Sequence, residues 1–176
     1  MPRKKLIRSN SYPYHVTARS NNKEWFYIPI EDVWNYSNEL LTTGKKKFNI
    51  HVEAFVLMNN HYHLCVKTPD ANIDKFMQFF NQNLGKKISR QADRINRIFG
   101  APYKWNLITT EYYYNNVIRY IYQNPIRAEL VDRCEKYPFS DLHTKKPTHD
   151  FLNWINKRVV QDDDVAMRKK LKKYIL

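Results

Sequence analysis

The sequence predicts an α+β fold in which an antiparallel β-sheet carries helices on one face. Segments with the alternation and β-branched residues of strands lie between segments whose apolar residues recur every three or four positions. Their order along the chain is β, α, β, β, α, β, α. With 176 residues, 43% of them hydrophobic, the chain is long and apolar enough to form one domain with a substantial core.

The first half of the chain predicts a strand, a helix and a hairpin. Residues 14–18, Tyr-His-Val-Thr-Ala, alternate as a strand does, and residues 30–41 place apolar side chains at helical spacing over about three turns. Residues 48–58 and 61–68 are β-type runs on either side of an Asn-Asn pair. Because such pairs favour tight turns, the two runs predict an antiparallel hairpin.

The second half predicts two further helices with a strand between them. Residues 73 to about 98 carry an apolar stripe at helical spacing and become basic towards their end. Residues 103–110 are β-type, and residues 111–124 are again helical until Pro125, which lacks the N–H that a helix interior needs. The whole order is that of a ferredoxin-like sandwich, to which the last helix is an addition.

Segments of different character flank this core. We expect a basic arm over residues 1–11, a domain over 12–142 and an extension over 143–176. The extension contains a basic run at 168–173. The sequence supports two roles for this run equally, a clamp on the DNA backbone and a solvated helix end.

Charge and composition narrow the classes of function. The chain has 30 Lys and Arg against 17 Asp and Glu, a net charge of +13, and 15% aromatic residues. These values favour a polyanionic partner, above all nucleic acid, although a basic surface can also serve solubility alone. No apolar run approaches the length of about 18 residues that predicts a membrane span, and the two cysteines are far apart, so we expect a reduced, cytoplasmic protein.

Two histidines share one face of the predicted hairpin. His61 and His63 flank Tyr62 within a strand, and because strand side chains alternate, both imidazoles point to the same side. Two histidines at this spacing can hold one divalent cation. The same triplet also arises by chance, and a polar strand face tolerates histidine.

The last predicted helix carries a second candidate pair. Tyr120 and Asn124 are one helical turn apart, so a phenol and an amide can reach into one site. A tyrosine packed at the edge of the core would give the same pattern. Among the other tyrosines of this helix, Tyr113 is the geometric rival, since it lies two turns before Tyr120.

Three ordered motifs resemble those of a known family. Residues 58–64, Met-Asn-Asn-His-Tyr-His-Leu, resemble the HUH motif of single-tyrosine transposases. Residues 120–131 resemble the signature of the branch called REP-associated tyrosine transposases, and residues 14–22 resemble its opening strand and turn. The chain departs from the pattern at Asn59, where proline is common, and at Glu129, where glycine is usual.

The resemblance implies a chemistry for these residues. It implies that Tyr120 attacks single-stranded, hairpin-forming DNA and forms a 5′-phosphotyrosine intermediate. His61, His63 and Asn124 would hold Mg²⁺ or Mn²⁺, and zinc is also compatible with these ligand types. Asn124 stands where insertion-sequence relatives carry glutamine, which favours the REP-associated branch, and the active form would be a monomer or a homodimer.

Binding of single-stranded DNA needs cationic grooves and stacking aromatic side chains. The candidates for this role lie after the first strand, on the long helix and near the fourth strand: Arg19, Asn22, Lys86, Lys87, Arg90, Lys104 and Trp105.

Two alternatives stay open from the sequence. A ferredoxin-like nucleic-acid-binding protein without catalysis would need both histidines and Tyr120 to be structural. A related HUH enzyme of replication or plasmid transfer is usually larger and often carries a helicase domain.

Overall fold

The computed structural model describes residues 5–157 and confirms the predicted fold and element order. The strands are β1 (Tyr14–Arg19), β2 (His51–Met58), β3 (His61–Lys67) and β4 (Lys104–Leu107). The helices are α1 (Ile30–Phe48), α2 (Ile73–Gln91), α3 (Glu111–Arg127), α4 (Leu142–Lys145) and α5 (His149–Asn156). Short 3-10 turns lie at Asn21–Lys23 and Cys134–Lys136.

The four strands form one sheet in the order β2-β3-β1-β4, with antiparallel neighbours throughout. The central strand β1 pairs with β3 on one side and with β4 on the other. In this register Arg19 lies opposite His61, while Thr17 lies between His63 and Lys104. Directly opposed residues share a face of the sheet, so these side chains belong to one surface.

Each face of the sheet has its own apolar core. On one face, side chains such as Val16, Leu64 and Phe55 pack with the apolar stripes of α1 and α2. On the other face, Ala54 and Cys65 pack with α3 and α5. The helix that the sequence adds to the ferredoxin-like pattern therefore covers the second face, where the candidate residues lie.

Helices α1 and α2 end at different places from those predicted. Helix α1 continues beyond residue 41 because Gly44 is an interior packing position, where a Cβ atom would lie 2.6 Å from Cε2 of Phe76 on α2. The helix ends at Asn49, which adopts a left-handed φ of 49°. Helix α2 stops at Gln91 and not near residue 98, and Asp93 turns the chain with a φ of 49°.

Helix α3 runs through Pro125 to Arg127, whereas the sequence predicted a stop at Asn124. Proline removes only the bond that its own N–H would donate to the carbonyl oxygen of Ile121. The side-chain Nδ2 of Asn124 lies 3.4 Å from that oxygen and partly replaces the missing donor. One proline near the C-terminal end therefore leaves the last turn of the helix intact.

The flanking segments pack onto this core. Ile155 of α5 is fully buried, and the side chain of Gln123 on α3 donates to the carbonyl oxygens of Ile155 and Lys157 at 2.7 and 2.9 Å. In the basic arm, Arg8 pairs with Asp74 at the start of α2, with 2.7 Å between Nη2 and Oδ2. Across residues 5–157 we find no helix both long and apolar enough to cross a membrane, and the basic run at 168–173 lies outside the described residues.

Candidate active site

The sheet brings a row of polar side chains to the face that α3 covers. His15 and Thr17 come from β1, and His61 and His63 come from β3, because alternate positions of antiparallel neighbours share a face. Their neighbour on β4 is Lys104, which lies opposite Thr17. His15 and His63 are both buried, with 5% and 6% of their surface exposed.

Helix α3 places a matching row above these strands. Tyr120, Asn124 and Arg127 are spaced four and three residues apart, so they lie on one side of the helix. The ring centre of Tyr120 is 5.4 Å from that of His63 and 5.8 Å from that of His15. The guanidinium carbon of Arg127 lies 5.1 Å from the ring centre of Tyr120.

The two rows enclose an open cleft of about 910 Å³. Its walls include all four residues for which the sequence suggests chemistry, namely Tyr120, His61, His63 and Asn124. Four cationic side chains also line the cleft: Arg19, Lys23, Lys104 and Arg127. A cleft with this charge is suited to hold a phosphate backbone against the tyrosine.

Both histidines of the hairpin use Nδ1 for a hydrogen bond inside the protein. Nδ1 of His61 lies 2.7 Å from Oδ1 of Asn60, and Nδ1 of His63 lies 3.0 Å from Nε2 of His15. Their rings are 5.1 Å apart, centre to centre. Hydrogen bonding at Nδ1 leaves Nε2 of each ring as the nitrogen that can bind a further ligand.

Burial keeps these imidazoles neutral at pH 7. Desolvation lowers the pKa of His15 to about 4, and desolvation, with a smaller effect of the nearby Arg19 charge, lowers the pKa of His61 to about 4. Desolvation is also the largest reason why the pKa of His63 lies well below its ordinary value. Neutral imidazole is the form that binds a metal ion.

Asn124 is oriented by the helix that carries it. Its Nδ2 donates to the carbonyl oxygen of Tyr120 at 2.7 Å, which leaves Oδ1 as the atom available to the cleft. The predicted ligands would offer two imidazole nitrogens and one amide oxygen, a mixed donor set that suits Mn²⁺ and is also compatible with zinc. No group of three or more His, Cys, Asp or Glu side chains between residues 5 and 157 is placed to hold a metal ion.

The neighbouring tyrosines of α3 have other partners. Tyr122 donates to Oδ1 of Asp141 at 3.0 Å, and Tyr114 donates to Oε2 of Glu53 at 3.2 Å. Burial and the adjacent carboxylates raise the pKa of both phenols above the usual value. Of the described tyrosines, Tyr120 is the one that lines the cleft.

The predicted DNA-binding residues separate into two groups. Arg19, Asn22 and Lys104 line the cleft. The others lie on the opposite side of the sheet: Lys86, Lys87 and Arg90 on α2, and Trp105 on β4.

Two residues of that second group, Lys87 and Trp105, have structural contacts. Nζ of Lys87 lies 2.9 Å from Oε2 of Glu39 and 4.8 Å from the ring centre of Tyr36. Trp105 lies opposite Val16 and packs edge-on against Tyr14, with 6.2 Å between ring centres. These four residues are therefore remote from the face that carries Tyr120.

Four residues near the cleft were not singled out from the sequence. His15 and Asn60 contact the hairpin histidines, Arg127 lies over Tyr120, and Trp25 follows the cleft-lining turn with 71% of its surface exposed. The spacing of seven residues from Tyr120 could have indicated Arg127. No local sequence pattern indicates a role for His15, because its hydrogen bond to His63 joins two different strands.

Comparison with known proteins decides the family. A family model described as "Transposase IS200 like" matches residues 8–124, more than half of the chain. The chain belongs to the IS200-like transposase family. The matched residues of this transposase include both hairpin histidines, Tyr120 and Asn124, and membership of a transposase family implies an enzyme that cleaves DNA.

One solved structure in particular shares the fold of this transposase. A REP-associated tyrosine transposase solved with a REP hairpin superposes with a TM-score of 0.70 at 16% identity, over 91% of this chain and 93% of that chain. A candidate transposase from Deinococcus radiodurans R1 gives a TM-score of 0.47 at 13% identity, over 68% of this chain and 95% of that chain. No curated protein matches the chain significantly.

Proposed function

We propose that this transposase is a metal-dependent endonuclease and strand-transferase for single-stranded DNA, and that it works through a 5′-phosphotyrosine intermediate. The observation that carries the proposal is the position of Tyr120, 5.4 Å from His63 between ring centres, inside a cationic cleft. Membership of a transposase family supports DNA as the substrate.

The reaction is a transesterification at phosphorus. The phenolic oxygen of Tyr120 attacks the scissile phosphate, and the bond between phosphorus and O3′ breaks. The phenolic proton passes to solvent, while the departing O3′ takes up a proton and becomes a free 3′-hydroxyl. Attack of a 3′-hydroxyl on the phosphotyrosine reverses the step, so rejoining needs no nucleoside triphosphate.

The residues of the cleft have distinct roles in this proposal. Nε2 of His61, Nε2 of His63 and Oδ1 of Asn124 are the ligand atoms for Mg²⁺ or Mn²⁺. The chemistry that such an ion supplies when bound is polarisation of the scissile phosphate and stabilisation of the leaving oxygen. Arg127 adds positive charge beside the Tyr120 ring, where negative charge gathers as the phosphate is attacked.

Single-stranded hairpin DNA is the substrate that we propose. The protein of similar fold is described as bound to a REP hairpin, and the cations of the cleft suit an extended phosphate backbone. Trp25, exposed beside the turn at Asn21–Lys23, is the aromatic side chain that we assign to base stacking. The active form that we propose is a monomer or a homodimer.

A denaturing gel tests the proposal directly. The protein is mixed with Mn²⁺ and single-stranded hairpin oligonucleotides taken from repeats that flank its own gene. We expect a covalent protein–DNA band with the wild-type protein and none with Tyr120→Phe. Tight, salt-sensitive binding without a band over a panel of such hairpins would instead indicate a nucleic-acid-binding protein without catalysis.

A further inference from the structure

We propose that His15 and Asn60 are positioning residues that fix the tautomer and ring orientation of His63 and His61, so that both rings present an unprotonated Nε2 to the cleft. This inference rests on the proposed function, because it concerns the same candidate metal site. It assigns a role to two residues that do not reach the substrate or the metal themselves.

A backbone carbonyl group orients the side-chain amide of Asn60. The carbonyl oxygen of Lys23 can only accept a hydrogen bond, and it lies 2.6 Å from the amide nitrogen Nδ2 of Asn60. This contact determines which way the amide faces, so Oδ1 is the atom that meets Nδ1 of His61, at 2.7 Å. Because Oδ1 can only accept, His61 must carry its proton on Nδ1, and the lone pair of the neutral ring lies on Nε2.

The segment that supplies the Lys23 carbonyl is itself held against the hairpin turn. The backbone N–H of Ser20 donates to the carbonyl oxygen of Asn60 at 2.8 Å, and the N–H of Phe26 donates to that of Asn59 at 2.7 Å. Lys23 adopts a φ of 61°, a left-handed conformation that a non-glycine residue keeps only when its surroundings impose it. The orientation of the Asn60 amide therefore follows from the tertiary contact of two turns.

His15 plays the corresponding part for His63. Its Nε2 lies 3.0 Å from Nδ1 of His63, and one proton is shared between these two neutral rings. One arrangement of that proton leaves the lone pair of His63 on Nε2: Nδ1 of His63 carries the proton and Nε2 of His15 accepts it. We assign this arrangement because it presents Nε2 of His63 to the cleft beside the ring of His61, 5.1 Å away between ring centres.

The consequence is a metal site prepared before any ion arrives. Partners behind the ligating histidines typically change metal affinity about 10–100-fold when they are removed. We expect losses in this range when either residue loses its acceptor. If His15 and Asn60 only filled space, metal affinity would not depend on their hydrogen-bond acceptors. A variant of similar shape without the acceptor would then keep the affinity for the metal ion.

Nuclear magnetic resonance of the metal-free protein tests the tautomers without any variant. Long-range ¹H–¹⁵N spectra of ¹⁵N-histidine-labelled protein distinguish protonated from unprotonated ring nitrogens. We expect Nδ1 protonated and Nε2 unprotonated in both His61 and His63 at pH 7. A proton on Nε2 of either ring would overturn the proposal, even if the variants described next failed to fold.

Mn²⁺ titrations monitored by electron paramagnetic resonance test the effect on the metal. His15→Phe and Asn60→Ala remove the acceptors, and we expect each to weaken Mn²⁺ binding about 10–100-fold. His15→Gln and Asn60→Asp retain an acceptor near the original position, and we expect them to recover most of the affinity. Equal affinity in all four variants, with melting curves showing folded protein, would refute the positioning role.

The two proposals fail in different ways. If the wild-type protein forms the covalent adduct while a tautomer is wrong, only the positioning role is lost. If the tautomers are as expected but neither Mn²⁺ binding nor an adduct is detected, the proposed function is lost and the hydrogen bonds are structural.

Discussion

Asn124 donates through its side-chain Nδ2 to the carbonyl oxygen of Tyr120, at 2.7 Å. The candidate metal ligand is thereby held by the backbone of the candidate nucleophile, one helical turn away. Pro125 contributes to this arrangement, because its missing N–H leaves the carbonyl oxygen of Ile121 open to the same Nδ2 atom, at 3.4 Å. The Asn-Pro pair thus keeps Oδ1 of Asn124 available to the cleft.

The first prediction concerns this asparagine. Asn124→Leu removes the amide oxygen, and we expect Mn²⁺ affinity and adduct formation to fall by at least about 10-fold, because even partners behind metal ligands cost about 10–100-fold when they are lost. Titration with Mn²⁺ and the denaturing gel measure the two effects. Asn115→Leu is the matched control, since Asn115 lies on the same helix but lines a different cavity. Equal losses in both variants would point to helix stability as the cause.

The second prediction concerns the nucleophile. Tyr120→Phe removes one hydroxyl group, so we expect no covalent adduct while the free energy of unfolding changes by less than about 1 kcal/mol. The gel and a urea titration measure these quantities. Tyr113→Phe is the control and should form the adduct normally. An adduct that persists in Tyr120→Phe and vanishes in Tyr113→Phe would move the nucleophile two turns along α3.

The third prediction concerns the metal. Ligand binding stabilises the folded state by about 2.7 kcal/mol when the free ligand is at 100 times its dissociation constant. We expect Mn²⁺ to raise the melting temperature of the wild-type protein, EDTA to reverse the rise, and the double change His61→Ala, His63→Ala to abolish it. His51→Ala, at the exposed start of β2, should respond as the wild-type protein does. A Mn²⁺-dependent rise that survives the double change would place the ion elsewhere.

The fourth prediction concerns base stacking. Aromatic side chains contribute about 1–3 kcal/mol per stacked base, so Trp25→Ala should weaken binding of single-stranded hairpin DNA by about 5–150-fold. Tyr112→Ala is the control, because Tyr112 is also an exposed aromatic residue, with 65% of its surface accessible, but lies at the start of α3 and not next to the cleft-lining turn at Asn21–Lys23. Fluorescence anisotropy with labelled DNA compares them. Unchanged affinity in Trp25→Ala would remove this residue from the interface.

The fifth prediction compares a lysine that lines the cleft with a lysine on α2. Lys104 lines the cleft, whereas Lys86 lies on α2 across the sheet. We expect Lys104→Gln to make the negative slope of log affinity against log salt less steep by about 0.7, the value for one phosphate contact on single-stranded DNA. Lys86→Gln should leave the slope unchanged. A change of slope in Lys86→Gln, with an unchanged slope in Lys104→Gln, would place the DNA along α2.

Much of the site could be predicted because its spacing is local. Alternation along one strand is enough to put His61 and His63 on one face, and the pitch of one helix is enough to put Tyr120 and Asn124 one turn apart. The same alternation separates Lys104 from Trp105, since consecutive strand residues point to opposite faces, although the sequence predicts both to bind DNA.

The sequence by itself determined the order of strands and helices, the two local pairs of candidate residues and the family signature. Only the tertiary structure decided that Tyr120 meets His63, because the face of the sheet on which α3 packs depends on contacts between distant segments. The same holds for His15 behind His63 and for Lys23 behind Asn60, whose contacts span 48 and 37 residues. Local periodicity specifies which side chains share a face, whereas long-range packing specifies which faces meet.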